Sequence, residues 1–186
     1  MSLEKIKTAL TSEINPKINN SEKQKLAAVL IIIYDNPPKI LMTKKPTTMA
    51  QHGGEISFPG GKLIDSDYNL LETALRETKE ETGLDISKKY VIGQLDQVTT
   101  LNSGFTILPF VCILDSITSL VANSEVEIFL QIPLIPFLET LENDIEPEHN
   151  SIQEMYLFTF EKNIIWGASA RMLKKVKENL TREDCF

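Results

Sequence analysis

Two cysteines, no long apolar run and no excess of basic side chains define this chain by what it lacks. Two cysteines cannot build a disulfide framework, so a reducing cytoplasm is the expected compartment. Cys112 lies inside the apolar run PFVCIL and reads as a small core residue, while Cys185 is penultimate. The longest apolar run, AAVLIIIY from Ala27 to Tyr34, is too short to span a bilayer. The start, MSLEKIKTAL, lacks the apolar core of a signal peptide, and the final EDCF is no known address or lipidation motif. With 19 Lys and Arg against 26 Asp and Glu, the formal net charge is -7. Such a chain has no general attraction to nucleic acid or anionic membranes, so neither is expected as a partner. An anionic ligand would have to be brought in by a metal cation or a local basic loop.

What is present fits one domain of ordinary size: 186 residues, 42% hydrophobic and 24% charged. No repeat or low-complexity tract interrupts it. Residues 1–24 read as an N-terminal helix, ending near Asn15–Pro16, and a polar connection. Residues 25–186 read as a single domain. AAVLIIIYD and KILMTKK are strands joined by the turn NPP, the first buried on both faces. TTMAQHGGE is a loop leading to the short strand ISFP and a tight GGK turn. A helix from about Asn69 to Thr82 follows, capped by Asp67 or Ser66 and ended by Gly83. Further strands are expected at YVIGQLDQV, TILPFVCIL, VEIFLQIP and EMYLFTF, with a short helix near Leu134 to Leu141 and a final one near Ala168 to Leu180. Mixed order with more strands than helices predicts an α+β fold with a mixed sheet.

The chemistry concentrates in ALRETKEETGL. On a helical wheel Leu70, Leu71, Ala74, Leu75 and Thr78 share the core-facing side. Glu77 and Glu81, four apart, stack along the flank of that stripe, Glu80 lies beside Glu77, and Lys79 faces solvent. Clustered carboxylates repel one another unless a cation neutralises them, and hard Mg²⁺ or Mn²⁺ suits oxygen ligands shared with substrate phosphates. A solvated acidic face, relieved by Arg76 and Lys79, accounts for the helix alone equally well. The preceding FPGGK shifts the balance, because adjacent glycines let the backbone approach a ligand closely.

GGKLIDSDYNLLETALRETKEETGL resembles the Nudix box, the loop–helix–loop of the Nudix hydrolases. Gly61, Arg76, Glu77, Glu80, Glu81, Gly83 and Leu84 match its usual form. Three positions depart from it: Asp67 stands for the first Glu, eight residues instead of seven precede Arg76, and Thr78 replaces an aliphatic residue. The longer stretch from HGGEISFPGG, with QLDQVTTLNSGFTILPFV, EVEIFLQIPL and IWGASARML downstream, is similar to the coenzyme A diphosphatase-like subgroup. The likeness runs from about Ala28 to Leu173.

That resemblance implies a Nudix-type α/β/α sandwich and metal-dependent cleavage of a nucleoside diphosphate derivative. The implied substrate is coenzyme A or an acyl-CoA, cut to 3′,5′-ADP and 4′-phosphopantetheine, by a monomer or homodimer. Glu77, Glu81, Glu80 and the Gly61 carbonyl are the implied ligands of Mg²⁺ or Mn²⁺. Glu80, Arg76 and Glu127 form the implied catalytic set. Arg76 holds Glu77 and Glu80 in orientation, and the general base is open between Glu80, Glu125 and Glu127. His52, Lys44, Lys45, Gly60 and Lys62 are the implied substrate contacts, His149 is a loop histidine, and Trp166 is expected in the core. The subgroup has arginines in the approach loop where this chain has Lys44 and Lys45, and lysine lacks the bidentate fork that suits phosphate. ADP-ribose or a dinucleoside polyphosphate therefore stands as the alternative substrate, and a non-catalytic nucleotide-sensing module as the alternative class.

Overall fold

The computed structural model describes residues 2–17, 25–49, 52–101, 103–145 and 155–183. His149 and Cys185 lie outside them. In chain order the elements are α1 (Leu3–Leu10), β1 (Lys25–Tyr34), β2 (Lys39–Lys44), β3 (Ile56–Ser57), β4 (Gly60–Lys62) and α2 (Leu70–Thr82). A 3-10 turn at Lys88–Tyr90 leads to β5 (Val91–Gln94), β6 (Val98–Thr99), β7 (Phe105–Leu114), β8 (Ile128–Pro133) and α3 (Leu134–Glu139). The chain closes with β9 (Glu142–Asn143), β10 (Tyr156–Phe160), β11 (Asn163–Ile165) and α4 (Gly167–Arg182).

The long apolar run became the central strand. β1 pairs with β7 in parallel along its whole length, from Lys25 opposite Phe105 to Tyr34 opposite Leu114. Its other edge is shared: Ile32–Tyr34 pair antiparallel with β2, and Ala27–Val29 pair antiparallel with β4. The sheet is therefore mixed, as the α+β reading expected. Its two faces are both buried, which explains a strand apolar at every position. Ala28, Leu30, Ile32 and Tyr34 pack with Leu70, Leu71 and Ala74 of α2. Val29, Ile31 and Ile33 pack on the opposite face with α1, α3 and α4. This is an α/β/α sandwich.

Several local readings change. The first helix ends at Leu10, not near Asn15, because the next residues are captured by the edge of β5. The Ser12 hydroxyl donates to the Gln94 carbonyl at 2.8 Å and accepts from the Gln94 N–H at 2.9 Å, and the Ser12 N–H donates to the Ile92 carbonyl. The cap of α2 is Asn69, whose side chain accepts from the Glu72 N–H at 3.1 Å, and neither Asp67 nor Ser66. GGK is a strand, not a turn, since β1 has an unpaired edge where β2 has left it. YVIGQLDQV divides into β5 and β6, and two short strands, β9 and β11, carry no clear period-2 signal. Trp166 caps α4 and is 43% exposed instead of buried. Among the described residues no helix is long and apolar enough to cross a membrane.

Candidate active site

The turn before β4 is built against β1. The Leu30 N–H donates to the Pro59 carbonyl at 2.9 Å, which seats Gly60 and Gly61 beside Ala28 and Val29. A Cβ at Gly60 would run into the Ala28 carbonyl and the Val29 backbone. A Cβ at Gly61 would run into the Glu77 carboxylate. Both glycines are thus required by close approach, and the second brings the main chain of β4 onto an acid of α2.

Helical spacing puts Glu77 and Glu81 on that same side. Glu81 is 4% exposed and accepts from the Gly60 N–H at 3.3 Å. Burial pushes its carboxyl up to about 7, although the Lys45 charge and the Gly60 N–H pull the other way. Glu77 is half-buried, and its pKa is also raised by burial, against the opposing pull of Arg76. Glu80 is different: its side chain is 54% exposed and is hydrogen-bonded to the group through Arg76.

Arg76 organises the cluster. Its Nε and Nη2 donate to the two carboxylate oxygens of Asp67, each at 2.8 Å. Nη1 donates to Glu77 Oε1 at 2.8 Å and to Glu80 Oε2 at 3.3 Å, and Nη2 also donates to the Lys62 carbonyl at 3.2 Å. One guanidinium thus ties helix, loop and β4 together, using the planar fork that lysine lacks. Asp67 also accepts from the Thr73 hydroxyl and the Ile64 N–H, and the Arg76 contact holds its carboxyl below the usual range. Its role as the anchor of Arg76 was missed in the sequence; the spacing from loop to helix is not a helical period, so no wheel displays it.

The two lysines at the end of β2 diverge, Lys44 as the last residue of the strand and Lys45 just past it. Lys44 turns to Asn163 on β11, with Nζ 3.2 Å from its Oδ1. Lys45 turns to the acidic side, 3.2 Å from Glu125. His52 donates from Nδ1 to Glu55 at 2.9 Å. Both line a cleft of about 290 Å³ with Gly61, Lys62, Phe105 and Trp166. Gly61 borders the cleft and, by its close approach to Glu77, the carboxylates on the α2 side as well. Of the later acids, Glu125 acts electrostatically on both Glu77 and Glu81, while the Glu127 N–H is tied to the Lys44 carbonyl.

The donor set suits a hard divalent cation: two raised-pKa carboxylates with repelling charge, beside a backbone that no Cβ could share. Among the described residues no three acidic, histidine or cysteine side chains form a ready metal cage. A hard divalent cation is commonly bound through one or two carboxylates plus water and substrate oxygens. Gly61→Ala tests the close approach. It is expected to lower kcat about 10²-fold by displacing Glu77, a misplacement cost typical of positioned groups. Steady-state kinetics alongside thermal unfolding checks this, and near-normal turnover would show that the Glu77 position is unimportant.

The mixed sheet between helical layers, with carboxylates of one helix over a glycine turn, is the architecture of the Nudix sandwich. A MutT/nudix family protein from Enterococcus faecalis superposes with a TM-score of 0.62 at 16% identity, covering 89% of this chain and 65% of that one. The NUDIX domain of Shewanella oneidensis NrtR, solved with ADP ribose, gives 0.59 at 17% identity, over 87% of this chain and 94% of that one. At such identities these likenesses establish the fold alone. The NUDIX domain family matches residues 24–176. The uncharacterized Nudix hydrolase NudL of Yersinia enterocolitica is 34% identical over 158 residues, 83% of this chain and 80% of that protein. This chain belongs to the Nudix family and is a Nudix hydrolase.

Proposed function

We propose that this hydrolase cleaves the diphosphate linkage of coenzyme A or an acyl-CoA, releasing 3′,5′-ADP and 4′-phosphopantetheine. The observation that carries the reaction class is the Glu77–Glu81 pair set against Gly60 and Gly61, opening into the cleft at Gly61. Mg²⁺ or Mn²⁺ held there would neutralise phosphate oxygens and supply a bound water of lowered pKa. Glu77 and Glu81, with the Gly61 carbonyl, are the ligands in this reading. Arg76 keeps Glu77 in place, Gly60 and His52 meet the diphosphate, and Lys62 contacts the substrate beside it. Glu80 takes the proton of the attacking water. Glu125 is the second candidate for that step and precedes Glu127, because its charge is the one felt by both buried acids.

ADP-ribose or a dinucleoside polyphosphate is the second reading. It is favoured by the approach loop, where Lys44 and Lys45 are engaged with Asn163 and Glu125 and offer no arginine fork. A panel of coenzyme A, acetyl-CoA, ADP-ribose and diadenosine polyphosphates, assayed with Mg²⁺ and Mn²⁺ and read by mass, decides between them. Release of 3′,5′-ADP with 4′-phosphopantetheine is the expected result. Intact coenzyme A with consumed ADP-ribose would replace the substrate and keep the class. Tight nucleotide binding without turnover under either metal would point to a sensing module.

A further inference from the structure

We propose that Lys25 and Lys62, gathered over Phe105 on the cleft floor, form a subsite for a phosphate monoester on the ribose of the substrate, apart from the diphosphate that is cut. The inference rests on the reading above of a nucleotide-derived substrate. It begins with strand order. β4, β1 and β7 lie side by side, Lys62 opposite Ala27 and Lys25 opposite Phe105. Register partners share a face, so Lys62, Ala27, Lys25 and Phe105 all present the cleft side of the sheet. Ala27 is small, and both lysine side chains reach the same ring: Lys25 Nζ lies 5.6 Å and Lys62 Nζ 5.3 Å from the Phe105 centroid. Lys25 also donates to the Ser103 carbonyl at 3.3 Å.

Two ammoniums sharing one ring repel each other, and a cation–π contact at an exposed site offsets only a small part of that repulsion. The acidic composition offers an easy remedy that these two do not use. Lys39, Lys45, Lys79, Lys88, Lys174 and Lys175 each have a carboxylate partner. Neither Lys25 nor Lys62 has one among the described residues. A phosphate monoester carries about -1.5 to -2 charge at neutral pH, which matches the pair. The position fits as well. Lys62 follows Gly61 directly, and Lys25 lies three residues along β1 from Ala28, the register partner of Gly61. That is roughly 10 Å along the strand, and because Lys25 and Lys62 face the cleft while Ala28 and the carboxylates lie on the α2 side, a substrate reaching both would cross the sheet edge at Gly61. This pair would supply the charge that the approach loop lacks.

The test compares wild type with Lys25→Ala and Lys25→Arg on coenzyme A and dephospho-coenzyme A. Wild type should prefer the 3′-phosphorylated substrate in kcat/KM. Lys25→Ala should reduce that preference by about tenfold, the scale of one charge-assisted contact, and Lys25→Arg should retain most of it. An unchanged ratio in Lys25→Ala overturns the subsite. Calorimetry with 5′-AMP, 3′,5′-ADP and 2′,5′-ADP supplies a readout independent of turnover. Tighter binding of a bisphosphate, lost in Lys25→Ala, supports the subsite, and the favoured isomer shows whether the monoester sits on the 2′ or 3′ oxygen. Equal binding of all three by wild type overturns it. If wild type cleaves neither substrate, the coenzyme A reading fails, and the calorimetric arm still decides the subsite.

Discussion

Glu81→Gln is expected to stabilise the metal-free protein and to lower its hydrolytic activity severely. The carboxyl is 4% exposed and titrates near 7, above the 4.5 of an unhindered glutamate. Between those values the folded chain holds a proton that the unfolded chain has released. The stability linked to Glu81 is therefore complete below about pH 4.5 and is lost as pH rises through 7. Above pH 8 the wild type carries the full ionisation cost, of order 2–4 kcal/mol for a shift of this size. Glutamine has the same shape, keeps an oxygen for the Gly60 N–H and never ionises, so it escapes that cost. Urea unfolding without divalent cation should show the variant more stable at pH 8.5 and the difference shrinking towards pH 5.5. In the same variant kcat should fall about 10²–10³-fold, the usual loss when one preorganised charge is removed. Mg²⁺ should raise the melting temperature of wild type more than that of the variant, by mass action. A variant less stable than wild type at pH 8.5, or one with normal turnover, would dismiss Glu81 as a strained functional acid.

Glu81 also marks where the sequence was legible. The wheel over α2 placed it at the border of the apolar stripe, and the structure puts it further in, because β4 closes over that border. Nothing in a helical period reports what a neighbouring strand covers. The central strand was readable for the opposite reason: a run apolar at every position has only a doubly covered place to go. Gly83 as C-cap was readable too, since its left-handed φ of 75° suits glycine and the helix pattern stops there. Trp166 was not, because Trp in an apolar segment belongs to the core as readily as to a cleft rim.

The loop residues were the least legible. Their roles depend on pairings between segments distant in sequence: Ser12 with Gln94, Lys45 with Glu125, and Lys44 with Asn163. Lys44 and Lys45 part company at the end of β2, yet the sequence does not say which of them meets the acids. Thr78 at a usually aliphatic position has a visible consequence, since its buried hydroxyl has no hydrogen-bond partner among the described residues. An unpaired buried hydroxyl is an energetic debit that an aliphatic residue would avoid.

Asp67→Asn should cost both stability and turnover, although Asp67 touches neither cleft nor carboxylate pair. Its side chain is 4% exposed and accepts two hydrogen bonds from Arg76, itself 24% exposed. Asparagine offers one oxygen and an NH₂ group that cannot accept, so the fork loses a bond and its counter-charge. Removing one partner of a buried pair costs about 3–5 kcal/mol, and the partial exposure of Arg76 lowers that to about 2–3 kcal/mol here. Released from Asp67, the guanidinium retains Glu77, Glu80 and the Lys62 carbonyl as partners, so it moves towards the site and drags Glu77 off its seat over Gly61. A fall in kcat of about 10²-fold should follow, with KM changing far less. Because the native pKa of Asp67 is depressed, its stabilisation is present above the ordinary carboxylate range and fades as pH falls. The deficit of the variant should accordingly be greatest near neutrality and narrow in acid. Arg76→Gln combined with Asp67→Asn provides the decisive cycle. If the two groups act as one clamp, the double variant is less destabilised than the two single losses together, by about 1–3 kcal/mol. Strict additivity would mean that Asp67 serves the loop alone and that Glu77 is held by something else.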